Sequence, residues 1–119
     1  MPEREPVVFI VQEVLRRDAK GDWVRAHNLL PARKFGRLEI LLDQRRFPLS
    51  TAPIVEELQE KLQDYQATDY LLPVGSPSFI MAVGAIAALC TGGVIRILTW
   101  DRASGEYVDS LWDLGGRND

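Results

Sequence analysis

Three observations predict an α/β fold with a mixed sheet. Residues 69–100 run without slack from an apolar stretch (Tyr70, Leu71, Leu72, Pro73, Val74) through the break Gly75-Ser76-Pro77-Ser78 into a long apolar segment and a second β-type run. That order is strand, tight loop, helix, strand, and parallel strands need a crossover of about a dozen residues that a helix normally supplies. Ahead of it lies another apolar run followed by an amphipathic helix. The core is therefore read as a parallel βαβαβ unit, with strands near 38–42, 70–74 and 94–100 and helices near 52–66 and 77–91. The third observation is a shared punctuation, Ala19-Lys20-Gly21-Asp22-Trp23-Val24 near the start and Ala103-Ser104-Gly105-Glu106-Tyr107-Val108 near the end. It predicts an N-terminal and a C-terminal β-hairpin, each closed by a type I turn with a left-handed glycine. The expected architecture is a small domain of two or three layers.

In chain order, Val7 to Leu15 and Trp23 to His27 are read as the two arms of the front hairpin. Pro31 suits a first helical position and Gly36 a position just past a helix end, so 28–36 holds a single helical turn. Leu38, Glu39, Ile40, Leu41 and Leu42 form a nearly continuous apolar strand, which implies cover on both faces. Thr51 is a candidate N-cap with Pro53 in the first turn. Ile54, Val55, Leu58, Leu62 and Tyr65 then make one stripe of a helix, and Glu57 and Lys61 stand in the favourable i,i+4 order on its polar side.

The helix at 77–91 differs in kind. Every residue from Phe79 to Cys90 is apolar or Gly, so it needs cover on more than one side, from the rest of the chain or from a second copy. Gly92-Gly93 stops it, the strand 94–100 follows, and Tyr107 to Leu111 closes an antiparallel edge.

At 119 residues, 46% hydrophobic and 26% charged, the chain has the length and composition of one globular domain, 1–119, with 1–6 and 115–119 expected to be flexible. The apolar run of 79–90 falls short of the roughly 18 residues a membrane span needs, and no signal peptide is read at the start. The lone Cys90 cannot form an internal disulfide and reads as a small core residue in a reducing compartment. The net charge of −3 divides unevenly: residues 1–46 carry ten Lys/Arg against seven Asp/Glu, and 47–119 carry four against ten. That mildly basic front is far from the clustered basic surface of a nucleic-acid binder, so nucleic acid is not expected as a partner.

No familiar catalytic constellation is present. His27 is the only histidine and has no Ser or Cys at a catalytic spacing, and one His with one Cys cannot build a tetrahedral metal cage. No catalytic residue, metal or cofactor is therefore expected. If the three core strands are parallel, their carboxyl ends share the edge where open α/β sheets bind ligands. Arg45, Arg46, Gly75, Ser76, Ser78, Asp101 and Arg102 would meet there as a candidate anion site, with Asp43 and Asp101 as carboxylates on the same edge. The plain alternative is that Ser76 caps the helix, Pro77 opens it and Gly75 makes the turn; neither Gly-rich phosphate fingerprint is present. Trp23, Trp100, Tyr107 and Trp112 fall on hairpin strands, where aromatics ordinarily pack across the sheet. Trp23, Arg25 and Trp112 are nevertheless candidate partner-binding residues, since Trp and Arg dominate interface hot spots.

The series Asp69-Tyr70-Leu71-Leu72-Pro73-Val74-Gly75-Ser76-Pro77, the Ala-rich helix, Gly92-Gly93, and Ile97-Leu98-Thr99-Trp100-Asp101-Arg102 with Tyr107 resembles small uncharacterised α/β proteins encoded in tailed-phage or prophage genomes. The resemblance extends to 7–17 and 31–42. It brings no known chemistry and implies a phage origin and work in the bacterial host cytoplasm. Two functions are then expected in turn: a non-enzymatic binding or regulatory protein acting on a host or phage protein, with homodimerisation through the apolar helix, or a protein holding a nucleotide or phosphate compound at the strand ends.

Overall fold

The run Val7–Gln12 (β1) is an interior strand, second in a five-stranded sheet, buried on both faces over its whole length. The computed structural model describes residues 4–115, so the flexibility expected of 1–3 and 116–119 lies outside the described residues. Beside β1 on one side is Arg37–Leu42 (β4); on the other come Tyr70–Leu72 (β5), Val94–Asp101 (β6) and Glu106–Asp113 (β7), giving the order β4-β1-β5-β6-β7. The first three pairings in that order are parallel and the last is antiparallel. A separate two-stranded hairpin, Leu15–Arg17 (β2) with Trp23–Arg25 (β3), follows β1 directly.

The front of the chain thus differs from the sequence reading in one respect. The apolar run 7–11 is not a hairpin arm; it is an interior parallel strand, and the hairpin is a short insert behind it. The physical reason is the one that applies to 38–42: five consecutive apolar side chains need cover on both faces, and only a strand inside the sheet provides it.

The direction of each crossover decides the layers. The steps from β4 to β5 and from β5 to β6 run the same way across the sheet, so right-handed connections put both helices on one face. These are Ala52–Lys61 (α1) and Pro77–Thr91 (α2), and their Leu58, Phe79, Val83 and Ala87 join Val7, Phe9, Val11, Leu71 and Ile95 in one core. The step from β1 to β4 runs the other way. It carries the hairpin and a 3-10 helix, Leu30–Phe35, to the opposite face, where Leu29 and Ala32 pack with Val8, Ile10, Leu72, Leu98 and Tyr107.

The α1 helix ends sooner than its apolar stripe does. After Lys61 the chain tightens into i→i+3 turns, Tyr65 N–H donating to the Leu62 carbonyl, and Leu62 and Tyr65 still reach the core. Thr51 and Ser76 stand at the N-cap positions, but neither side chain makes a capping hydrogen bond. Both hairpin turns are closed by an Asp at the first position and a left-handed Gly, Asp18 with Gly21 (φ 87°) and Asp101 with Gly105 (φ 68°). At the amino edge, the buried carboxylate of Asp69 receives Arg4 at 2.5 and 2.8 Å and the N–H groups of Val7 and Gln66, each at 2.9 Å. Burial would raise its pKa, but these four donors outweigh it and hold the carboxyl below its ordinary range.

Candidate functional site

The parallel strands place their carboxyl ends in the order β4, β1, β5, β6, with the winding direction reversing between β1 and β5. A crevice at such a reversal is where open α/β sheets hold ligands. Here the crevice is bridged by Gln12, the last residue of β1. Its amide Nε2 donates to the Asp43 carbonyl at 3.1 Å and its Oε1 accepts the Ser76 N–H at 2.8 Å. Gly75 lies so close, at φ 119°, that a Cβ there would sit 2.5 Å from Gln12 Cβ. The N–H of the N-cap residue Ser76 is therefore already committed to a side chain of the protein, and Pro77, the first residue of α2, has none to offer.

The sequence-predicted anion residues are spread along this edge. The loops after β4 and β6 are separated by three inter-strand steps, about 14 Å at ordinary sheet spacing, and Arg45 and Arg102 line different clefts. Arg45 is held by Asp43 at 2.5 Å and Glu57 at 3.0 Å, and Lys61 joins the same Glu57 at 2.6 Å. The hydrogen bonds from Arg45 and then Lys61 keep the Glu57 carboxyl below its ordinary pKa. Asp101 turns back on its own turn, accepting from Ser104 Oγ at 2.7 Å and the Ala103 N–H at 3.3 Å. Asp43 and Asp101 accordingly form no carboxylate pair. Arg46, Ser78 and Arg102 are exposed. Arg45, Gly75 and Ser76 remain together in a cleft of about 290 Å³ with Gln12, His27, Phe47 and Phe79.

Two residues of this edge carry more of its geometry than the sequence assigned them. Gln12 bridges the loops after β4 and β5, and the signal for it was a polar residue ending a fully apolar run. His27 lines that cleft and also a larger one of about 530 Å³, above β5 and β6. Sequence reasoning placed it at the end of a hairpin strand without knowing that the hairpin sits over the carboxyl edge. Among the described residues no group of three or more His, Cys, Asp or Glu could hold a metal ion.

The helix-bearing face shows a second feature. The outer stripe of α2 is uncovered: Met81 is 75% and Leu89 85% exposed, with Ala85 between them. A hollow of about 430 Å³ runs from Ala85, Ala88 and Leu89 past Gly92 to Leu114. Leu114 is pinned there by its N–H, which donates to the Gly93 carbonyl at 2.7 Å. Val108, Ser110 and Trp112 of β7 lie opposite Thr99, Ile97 and Ile95, which puts them on the same face as α2, with Val108 and Trp112 about half exposed. The cover expected for α2 is thus incomplete among the described residues. Cys90 is exposed at the helix end, its Sγ 3.5 Å from the Leu62 carbonyl, and is not a core residue.

The aromatics also depart from expectation, because only Tyr107 of the four is buried. Trp23, Trp100 and Trp112 are half exposed, for β3 lies outside the main sheet, Trp100 ends β6 beside an open cleft, and β7 is an edge. Trp23 lies under the Arg17 guanidinium at 4.7 Å, and Arg25 reaches Glu13 at 3.5 Å. Trp23 and Arg25 belong to the two-stranded hairpin and Trp112 to the main sheet. The candidate partner residues therefore sit on two different surfaces.

A family model described as phage Pam3 gp32-like protein matches residues 6–114. The chain belongs to that family. The phage connection that the residue pattern suggested is thereby established. The matched span takes in the carboxyl-edge clefts and the α2 and β7 face alike. Neither a curated protein nor a solved structure matches it. Among the described residues no helix is long and apolar enough to cross a membrane.

Proposed function

We propose that the protein is a non-catalytic accessory factor that works in the host cytoplasm by binding protein chains through the joined face of α2 and β7. The observation that carries this reading is the continuity of exposed apolar side chains from Met81, Ala85 and Leu89 through Leu114 to Trp112 and Val108. Isolated exposed apolar residues are ordinary, but a contiguous run of them on a small chain marks an interaction surface.

The edge itself invites a strand. β7 pairs with β6 in one uninterrupted register over eight residues; it carries no Pro or Lys, and its three carboxylates, Glu106, Asp109 and Asp113, restrict the registers in which the open edge can pair. A second copy fits this edge in one register. Antiparallel pairing centred on Ser110 sets Val108 against Trp112 of the other copy, twice, and Asp109 against Leu111. No two carboxylates face each other in that register, whereas a shift to centre on Leu111 would oppose Asp109 and Asp113. Aromatic and β-branched neighbours across strands are favourable and like charges are not. The two-fold arrangement is closed, as most homo-oligomers are.

Hydrogen exchange on the β7 amides tests the reading. Protection of alternate amides in 106–113 should rise with protein concentration, because those pointing away from β6 gain partners only in the pair. Protection independent of concentration would contradict it.

A further inference from the structure

We infer that the 530 Å³ cleft above β5 and β6 is a second binding site, one that takes a nucleoside monophosphate or an equivalent phosphate ester of a flat aromatic group. It lies at the carboxyl ends of parallel strands, on the face opposite the helices, and owes nothing to the α2 and β7 surface. Its volume is that of ordinary small-molecule sites.

Three features of its wall select the ligand. The first is charge: the chain carries 17 acidic against 14 basic residues, yet among the described residues lining this cleft none is Asp or Glu, while His27 and Arg102 both are there. Arg102 has no hydrogen bond or ion pair among the described residues, and the neighbouring Asp101 carboxylate is spent on Ser104 and Ala103, so the guanidinium is free to take an anion. A guanidinium meets phosphate with two parallel donors. The second is a rigid aromatic: Trp100, 41% exposed, stands edge-on to Tyr107 at 4.9 Å and 69° and leaves ring surface open to the cleft. The third is a fixed back wall. Tyr107 Oη donates to the Asn28 carbonyl at 2.9 Å, tying the segment that bears His27 to the sheet. Base on Trp100, phosphate between Arg102 and His27, is the arrangement these groups favour.

Titration with adenosine 5′-monophosphate, followed by indole fluorescence and melting temperature, tests the assignment. The nucleotide should quench emission and raise the melting temperature, with the quench lost in Trp100→Leu. Arg102→Ala should weaken binding by about tenfold and leave the melting temperature of the free protein unchanged. Adenosine alone and inorganic phosphate alone should each bind more weakly than the nucleotide. Absence of quench and shift at millimolar nucleotide overturns the proposal, as does equal binding of inorganic phosphate or an affinity indifferent to Arg102→Ala. A dimer lost or kept in the β7 variants has no bearing on these readings.

Discussion

Replacing Asp69 by Asn removes the charge that closes the amino edge of the sheet while keeping its size. The carboxylate accepts four hydrogen bonds, two from Arg4 and one each from the Val7 and Gln66 amides, and its side chain is wholly buried. An Asn amide can keep two of these through its oxygen; its NH₂ then faces two donors. Losing two charge-assisted bonds and leaving Arg4 without its counter-ion should cost about 3–5 kcal/mol. Urea unfolding followed by far-UV circular dichroism would show this as a fall of roughly 2–4 M in the midpoint. The dependence on pH supplies a second check. The folded pKa of Asp69 is lowered from 3.8, so the unfolded chain takes up protons first and stability falls with acid. The gap between wild type and Asp69→Asn should be constant above about pH 5 and close as pH falls through the folded pKa. A gap under about 1 kcal/mol, or one unchanged down to acid pH, would refute the account of this edge.

Two further predictions concern the carboxyl edge. Gly75→Ala should destabilise by roughly 2–4 kcal/mol, from left-handed strain together with the clash against Gln12, and differential scanning calorimetry should show it. Tyr107→Phe deletes the bond to the Asn28 carbonyl and should cost about 1 kcal/mol. It should also speed hydrogen exchange in 26–29 without affecting β1, and an unchanged exchange pattern would show that the bond does not hold that segment.

Much of the architecture was legible because it rests on local signals. The apolar character of 70–74 and 94–100, the Pro77 and Gly92-Gly93 limits of α2 and the Gly21 and Gly105 turns each specify an element without reference to the rest of the chain. The place of 7–12 was harder to read, since pairing with 38–42 and 70–72 is non-local and a following hairpin lay close by in sequence. That placement governs the candidate site. With β1 and β5 between them, β4 and β6 stand three strand steps apart, and Arg45 and Arg102 line different clefts. Gln12 and His27 gained their positions for the same reason. The unmet cover of α2 was legible, because a helix without a polar face must be covered or leave apolar surface exposed, but its continuity with β7 emerged only once Val108, Ser110 and Trp112 were registered against Thr99, Ile97 and Ile95.

The central claim, that α2 and the β7 edge form a self-complementary protein interface, is tested most directly by light scattering across micromolar to submillimolar concentrations. Wild type is compared with Val108→Lys and with Trp112→Glu, both substitutions at exposed positions. The expected result is a mass that approaches twice the monomer as wild type is concentrated and stays at one copy in both variants, with their unfolding unchanged. A wild-type mass of one copy throughout, or a dimer that persists in Val108→Lys and Trp112→Glu, would contradict it.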